Sequence, residues 1–378
     1  MKKTLLAAAL LAGFATAGVA QAETSVTLYG ILDTGYGYQN FKYDHDGADL
    51  RARSSGLRDG TFNGSRWGLK GAEDLGDGLR AIFQVEAHVN LGGQGGAAHS
   101  GFNRQSFVGL SSDSWGTFTM GRQYSAGTEV FQGPNGVNLG DADKVFGAVG
   151  LGGGTRVDNS FKYSTPDLSG FKAIVLYGTG GDNGTKVGRD GDTSFSDRGT
   201  RASVGLSYTN GPIGVGASYD RQSQYGKDAL GNDRTAATSW VISGAYDFEV
   251  VKLALAYGQD RHGKIGWNGS NGDFLTVGGV TNAAALSDDF KSNNYHVGLS
   301  APIGGGTLYA GWNYSTSNLD HDDKLGDDAG SISAYQLNYV YPLSKRTSLY
   351  TYASYMKNVG YIKDLKGTEA GVGINHKF

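Results

Sequence analysis

Residues 368–378 end the chain and read Thr-Glu-Ala-Gly-Val-Gly-Ile-Asn-His-Lys-Phe. One set of alternate positions is mostly apolar: Ala370, Val372, Ile374, His376 and Phe378. The positions between them are small or polar: Glu369, Gly371, Gly373, Asn375 and Lys377. Successive side chains of a β-strand point to opposite faces, so this pattern predicts a strand with one apolar and one polar face. About ten residues is also the length at which a tilted strand crosses a bilayer.

The same alternation recurs along the chain and predicts sixteen strands. They are residues 26–38, 66–74, 79–91, 104–111, 116–123, 159–164, 171–177, 200–210, 214–222, 238–248, 251–260, 293–301, 307–318, 331–341, 347–357 and 368–378. The periodicity alone does not decide which face of the sheet lies inside. A soluble β-sandwich would bury the apolar face, whereas a membrane barrel would turn it outward to lipid.

The connections between the predicted strands favour the barrel. Short turns alternate with long loops, of which residues 124–158 form the third and residues 261–292 another. Short turns at one rim and long loops at the other are typical of outer-membrane barrels, and a soluble domain rarely carries eight long loops. We therefore expect an all-β fold: a 16-stranded antiparallel transmembrane β-barrel with short periplasmic turns and long extracellular loops.

Composition and the first residues agree with export and exclude several classes of protein. A basic start, an apolar run over residues 5–19 and a small-residue site at 20–22 predict a signal peptide over 1–22 and a barrel domain over 23–378. Without Lys2 and Lys3 the chain carries 31 basic and 36 acidic residues, a net charge of −5, which argues against nucleic acid as a partner. The chain has no cysteine, which excludes disulfides and cysteine-based metal or redox chemistry.

Six stretches resemble a known family, the Gram-negative general (non-specific) porins of β-proteobacterial type. They are SVTLYG (25–30), SRWGLKGAEDLG (65–76), FNRQSFVGL (102–110), GRQY (121–124), LSKRT (343–347) and HKF (376–378). Each motif is weak alone, but together they stand in family order and cover the predicted mature chain.

The resemblance implies a homotrimer in the cell outer membrane, in contact with its lipid and lipopolysaccharide, through which ions and small hydrophilic solutes diffuse passively. It implies that the third long loop, residues 124–158, folds into the lumen and narrows it. It also implies that Phe378 is the signal recognised by the barrel-assembly machinery.

The resemblance also indicates which residues select ions. A water-filled pore selects by charged groups at its narrowest point, and in this family arginines on the wall face acids on the inward loop. Arg66 and Arg104 open strands at the matching places, and Arg156 ends the third loop. Arg122 shares a face with Phe118 and Met120, so it reaches the pore only if a bulge at Gly121 redirects it or if it lies beyond the strand.

The acids that would face these arginines are Glu129, Asp141 and Asp143. Many relatives carry a Pro-Glu-Phe-Gly motif near the tip of this loop, where this chain has Gly-Pro-Asn-Gly at 133–136. A neutral Asn135 in place of Glu weakens the acidic side of the constriction, which favours anions. The net charge of −5 argues for cations, but charges at loop tips are screened within about 8–10 Å.

Other chemistry finds little support in the sequence, which predicts no cofactor and no metal. Residues 44–46 and 320–323 are acidic clusters without the spacing of a calcium loop, and we expect solvated loops or contacts to lipopolysaccharide through divalent cations.

A channel selective for one substrate or for anions is the main alternative function. A barrel enzyme is another, but no set of Ser, His and acid stands out. An exported soluble β-domain is the last.

Overall fold

The computed structural model describes residues 24–45, 48–92, 101–132, 156–180, 185–187, 193–195, 199–223, 233–263, 276–277, 280–281, 288–318 and 330–378. The predicted signal peptide, residues 1–22, lies outside the described residues. Among the described residues, no helix is long and apolar enough to cross a membrane.

Nearly all of the regular structure is β. The strands are β1 (Ser25–His45), β2 (Ala48–Asp59), β3 (Arg66–Gly76), β4 (Leu79–His88), β5 (Ser106–Ser112), β6 (Gly116–Tyr124), β7 (Arg156–Ser164), β8 (Phe171–Gly178), β9 (Thr185–Val187), β10 (Thr193–Phe195), β11 (Arg201–Asn210), β12 (Ile213–Gln222), β13 (Ala237–Asp247), β14 (Lys252–Arg261), β15 (Thr276–Val277), β16 (Val280–Thr281), β17 (Lys291–Ile303), β18 (Gly306–Ser317), β19 (Ser331–Pro342), β20 (Thr347–Lys357) and β21 (Lys366–Lys377). One α-helix, α1 (Ala126–Gln132), and a 3₁₀ turn, Val359–Tyr361, complete the described elements.

Sixteen of these strands close into one antiparallel barrel, as the sequence predicts. Each strand pairs with its neighbour along the chain, in the order β1, β3–β8, β11–β14 and β17–β21. β21 then pairs with β1, from Ile31 opposite Lys377 to Lys42 opposite Lys366. Closure leaves no free sheet edge at this seam, which is what a membrane requires of a β-structure.

The first strand differs from the prediction. β1 runs to His45, and β2 pairs with it from Asp59 opposite Thr34 to Ala48 opposite His45. Most of the segment that the sequence assigned to the first long loop is therefore an extended hairpin. β2 and β3 pair with the same side of β1 and are separated by residues 60–65. The neighbour of β1 on this side of the barrel is therefore made of two strands with an interruption between them.

The two faces of the strands divide between lipid and lumen. On β21, Val372 is 58% exposed on the outer surface, whereas Glu369 and Asn375 are buried on the inner side. β11 shows the same division between exposed Leu206 and buried Ser203. The polar face therefore lies inside, and this resolves the choice that periodicity left open in favour of the barrel.

A cluster of buried apolar side chains lies inside the barrel. Residues 358–365 join β20 to β21 and pack on side chains of β19 and β20. The buried members of the cluster are Phe290, Ile332, Ala334, Tyr350, Tyr352, Met356, Val359, Tyr361, Ile362 and Leu365. Its position means that the last long connection covers part of the lumen wall.

Candidate functional site

The four arginines that the sequence singles out lie on one stretch of the wall. Arg66 opens β3, Arg104 precedes β5, Arg122 lies in β6 and Arg156 opens β7. β3 to β7 are consecutive neighbours, and all four residues are at the ends of their strands that bear the long connections. The antiparallel pairing therefore brings together residues that are far apart in sequence.

Gly64 lies between Arg66 and Arg104, and Glu86 pairs with Arg104. The Nε of Arg66 donates to the Gly64 carbonyl oxygen at 2.9 Å. A side chain at Gly64 would begin only 3.3 Å from a terminal nitrogen of Arg104, so the glycine lets this guanidinium approach. Arg104 forms an ion pair with Glu86, whose other carboxylate oxygen accepts the hydroxyl of Tyr29 at 3.2 Å.

Tyr124 connects Arg104 with Arg156. Its hydroxyl oxygen accepts N–H groups of Arg156 at 2.6 Å and of Arg104 at 3.4 Å. The Arg156 guanidinium also lies over the tyrosine ring, 4.5 Å from the ring centroid, in cation–π geometry. Tyr124 and Arg156 are direct partners in the pairing of β6 with β7, which fixes this contact. We call Arg66, Arg104 and Arg156, with Glu86 and Tyr124, the arginine cluster.

Arg122 adjoins the arginine cluster through a bulge. The pairing of β6 with β7 shifts between Gly121 and Gln123, and two β7 residues, Asp158 and Asn159, face the single residue Arg122. Arg122 forms an ion pair with Asp158 and donates from Nε to the Asn103 carbonyl oxygen at 2.9 Å. The irregularity that the sequence considered at Gly121 is therefore present, but the extra residue belongs to β7, where Asn159 has a φ of 47°.

The arginine cluster has more positive than negative charge. The cluster has three guanidinium groups and one carboxylate, that of Glu86, which pairs with Arg104. Neither Arg66 nor Arg156 lies at ion-pair distance from a carboxylate of the described residues. Glu86 points to the lumen side of β4, opposite to the exposed Phe83. An excess of fixed positive charge beside pore water raises the local concentration of anions.

Helix α1 begins the third long connection and lies inside the barrel. The N–H of Ala126 donates to the Ser203 hydroxyl at 2.9 Å, on the inner side of β11. Val130 packs against Gly205 and Gly216, where a side chain of any size would overlap it. These glycines make a flat surface on β11 and β12 for the helix. The inward fold that the resemblance implies is seen for this part of the loop, while residues 133–155 lie outside the described residues.

Of the three acids predicted on this loop, one lies within the described residues and two lie outside them. Glu129 lies on α1 and forms an ion pair with Lys162 of β7, so it joins the helix to the wall. Asp141 and Asp143 lie outside the described residues, as does Asn135.

A second arginine and acid meet beneath α1. Arg201 donates to Asp220 at 3.0 Å, and their side chains are only 7% and 1% exposed. Gly127 of the helix lies against the Asp220 carboxylate, which closes the pair off from the lumen. This pair is therefore almost completely withdrawn from pore water.

The end of the chain lies at the barrel seam. The N–H of Gly30 donates to the Phe378 carbonyl oxygen at 3.0 Å, and the Phe378 N–H donates back at 3.1 Å. The Phe378 ring covers Gly30 so closely that any side chain there would overlap it.

One hydroxyl, imidazole and carboxylate do meet, at Thr235, His262 and Asp288. The Thr235 hydroxyl lies 3.1 Å from His262 Nδ1, and the Asp288 carbonyl oxygen lies 2.9 Å from the same nitrogen. A nucleophile triad needs the hydroxyl on one ring nitrogen and the orienting acid on the other, so this geometry does not form one. Within the described segments, no group of three His, Asp or Glu side chains is arranged to hold a metal ion.

Sequence reasoning missed Tyr124, Glu86 and Lys162. GRQY (121–124) marked the right place for Tyr124, but nothing in a single sequence shows that its hydroxyl meets two arginines. Glu86 could have been found from strand alternation, because it lies on the polar face of β4 and pairs in register with Gly68, two residues from Arg66.

A closed sixteen-stranded barrel with an apolar outer face, a polar lumen and an inward helix defines a channel-forming outer-membrane protein. The family model for Gram-negative porins matches residues 7–361. An outer membrane porin protein of Bordetella pertussis is 43% identical, over 100% of both chains. Outer membrane porin protein 32 of Delftia acidovorans is 31% identical, over 95% of this chain and 90% of its own.

A solved structure supports the same conclusion. The anion-selective porin from Comamonas acidovorans matches with a TM-score of 0.67 and 26% identity, covering 94% of this chain and 100% of its own. The chain belongs to the family of Gram-negative porins. It is an outer-membrane porin, a water-filled channel for the passive diffusion of ions and small hydrophilic solutes.

Proposed function

We propose that this porin is a general diffusion channel with a weak preference for anions. The observation that carries the proposal is the excess of arginine over carboxylate in the arginine cluster, where Glu86 pairs with Arg104, while Arg66 and Arg156 pair with no acid of the described residues. The anion selectivity stated for the Comamonas acidovorans porin points the same way.

We propose that Arg66, Arg104, Arg122 and Arg156 line the pore together with Glu129, Asp141 and Asp143. Arg66, Arg104 and Arg156 have the largest share in the preference for anions, because their charge exceeds that of their described partners. Arg122 and Glu129 contribute less, since each is paired with an opposite charge, Asp158 and Lys162 respectively.

The test is the reversal potential of the refolded, signal-free protein in a planar bilayer across a KCl gradient. Ohmic steps without saturation, with a reversal potential of the sign for chloride preference, are the expected result. A cation preference would overturn the proposed selectivity. Saturation of the current by one solute would favour a substrate-selective channel.

The remaining expectations belong to the same proposal. The protein is exported by a signal peptide over residues 1–22, assembles as a homotrimer in contact with lipopolysaccharide, and has no enzymatic activity. Phe378 serves as the signal for the barrel-assembly machinery, and its position against Gly30 at the seam supports this role. Heat-modifiable migration on a gel tests the trimer, and a Phe378→Ala chain that still inserts with normal yield would contradict the signal role.

A further inference from the structure

A buried carboxylate at the barrel seam accepts four hydrogen bonds, and passive diffusion through the pore does not by itself require such a group. Asp33 of β1 is fully buried, with 0% exposure. Its two carboxylate oxygens accept the backbone N–H groups of Phe62 at 3.2 Å and Asn63 at 3.0 Å. They also accept the Tyr350 hydroxyl and the Asn375 side-chain amide, each at 2.8 Å. Such a saturated carboxylate is stabilised by its donors and in turn fixes their positions.

The two backbone donors belong to the interruption between β2 and β3, residues 60–65. Both ends of this segment also bond to the backbone of Asp33. The Gly60 N–H donates to the Asp33 carbonyl oxygen at 2.9 Å, and the Ser65 hydroxyl accepts from the Asp33 N–H at 3.0 Å. In addition, the Phe62 ring stacks on Tyr350 with centroids 5.3 Å apart. Asp33 therefore bonds to both ends and to the middle of this segment.

The same segment contacts the arginine cluster one residue further on. Gly64 follows Asn63, accepts Arg66 Nε at 2.9 Å, and lies close against the Arg104 guanidinium. If residues 60–65 moved, Arg66 would lose its bond to Gly64 and Arg104 would lose the surface against which it lies.

We propose that Asp33 is a positioning residue for ion selection: it holds residues 60–65 so that Arg66 and Arg104 stay directed at the pore. This inference rests on the proposed anion preference of the arginine cluster. It assigns to a buried acid on the lumen side a contribution in favour of anions, opposite to the sign of its own charge.

That opposite sign makes the inference testable. Asp33→Asn removes a negative charge from the wall, so direct electrostatics alone would shift selectivity toward anions. The amide also keeps only one acceptor oxygen, so at least one backbone N–H of residues 60–65 loses its partner. Positioning therefore predicts a shift toward cations, which we expect to be about twofold in the chloride-to-potassium permeability ratio.

The reversal potential of refolded Asp33→Asn in planar bilayers is the measurement. Asp260→Asn is the matched control, because Asp260 is also a buried lumen-side acid but bonds to Ser292 and Asn294, away from the arginine cluster. We expect no shift toward cations in the control. An unchanged ratio in Asp33→Asn, or a shift toward anions, overturns the inference.

Arg104→Ala, measured alongside, separates the two statements. If Arg104→Ala shifts selectivity toward cations and Asp33→Asn does not, the inference fails and the proposed function stands. If neither variant shifts it, the inference fails, and the proposed function fails with it when Arg66→Ala also leaves the ratio unchanged. Should Asp33→Asn not fold, Tyr350→Phe removes one donor to Asp33 and keeps the ring against Phe62; a ratio equal to that of the parent protein then overturns the inference.

A second readout follows the segment directly. The chain has no cysteine, so Asn63→Cys introduces a unique thiol while keeping the backbone N–H that bonds to Asp33. With Asp33→Asn added, we expect a small water-soluble thiol reagent to label this cysteine several-fold faster. Equal labelling rates would show that Asp33 does not hold the segment, and would overturn the inference independently of any current measurement.

Discussion

Two regions of the lumen wall both contain arginine and acidic side chains, but they differ in the balance of charge and in its burial. The arginine cluster contains three guanidinium groups and one carboxylate, that of Glu86, which pairs with Arg104. It lies where β3 to β7 join the long connections. Beneath α1, Arg201 pairs with Asp220, and both side chains are almost completely buried. We expect fixed charge to select ions only where it is in excess and reaches pore water. Elsewhere the same chemistry contributes to the stability of the wall.

The largest expected effect comes from breaking the buried pair. Arg201→Ala leaves Asp220 without its arginine under the helix, which should lower the free energy of unfolding by about 3–5 kcal/mol. Denaturant unfolding of the refolded barrel in detergent measures the loss. The double variant Arg201→Met with Asp220→Leu should recover most of it, because apolar side chains of similar volume often replace a buried ion pair at little cost. A loss below about 1 kcal/mol, typical of an exposed pair, would contradict the comparison.

A smaller energy but a clearer functional change is expected in the arginine cluster. Arg104→Ala and Arg66→Ala each remove a charge that acts on ions through water, worth about 1 kcal/mol at 4 Å and roughly fivefold in the chloride-to-potassium permeability ratio. Selectivity should shift toward cations in the reversal potential. Arg346→Ala, in the turn between β19 and β20 at the other rim, is the matched control and should change little. Unchanged reversal potentials in both cluster variants would sink the assignment.

The smallest effect is expected from the acids of the two regions. Glu86→Gln removes the single carboxylate of the arginine cluster while keeping an acceptor for Arg104, so selectivity should shift toward anions by roughly twofold. Asp220→Asn removes a carboxylate of the same kind from beneath α1, and there the reversal potential should stay as it was. Equal shifts in the two variants would mean that burial under the helix does not isolate a charge from the pore.

The fold was largely predictable because the membrane imposes a local rule on every strand. Lipid on one side and water on the other require alternation within ten residues, and Val372 and Asn375 on β21 show it directly. The turns were predictable for a similar reason: Gly304 and Gly305 join β17 to β18 with φ values of 59° and 82°, which glycine adopts easily. The places of Arg66 and Arg104 at strand starts followed from matching motifs.

What could not be predicted depends on contacts without a local signal. The long hairpin of β1 and β2 needs no regular apolar face, so residues 39–59 look like a loop. Helix α1 has only seven residues, too few to show a helical period. Gly205 and Gly216 look like ordinary small residues of a lumen wall, yet they make room for Val130. The bond between Asp33 and Asn375 joins positions 342 residues apart.

That last separation has a consequence for how the channel is made. Contacts between the two ends of a chain form slowly, because the entropy of closing a very long loop is lost before the contacts contribute any stabilising free energy. The seam between β1 and β21 includes the bonds of Asp33 to Asn375 and of Gly30 to Phe378. The segment beside Arg104 acquires its full set of bonds only when this seam is made. In a folding intermediate with an open edge, residues 60–65 beside Arg104 would therefore lack part of their support, and closing the barrel would complete both the seam and this segment.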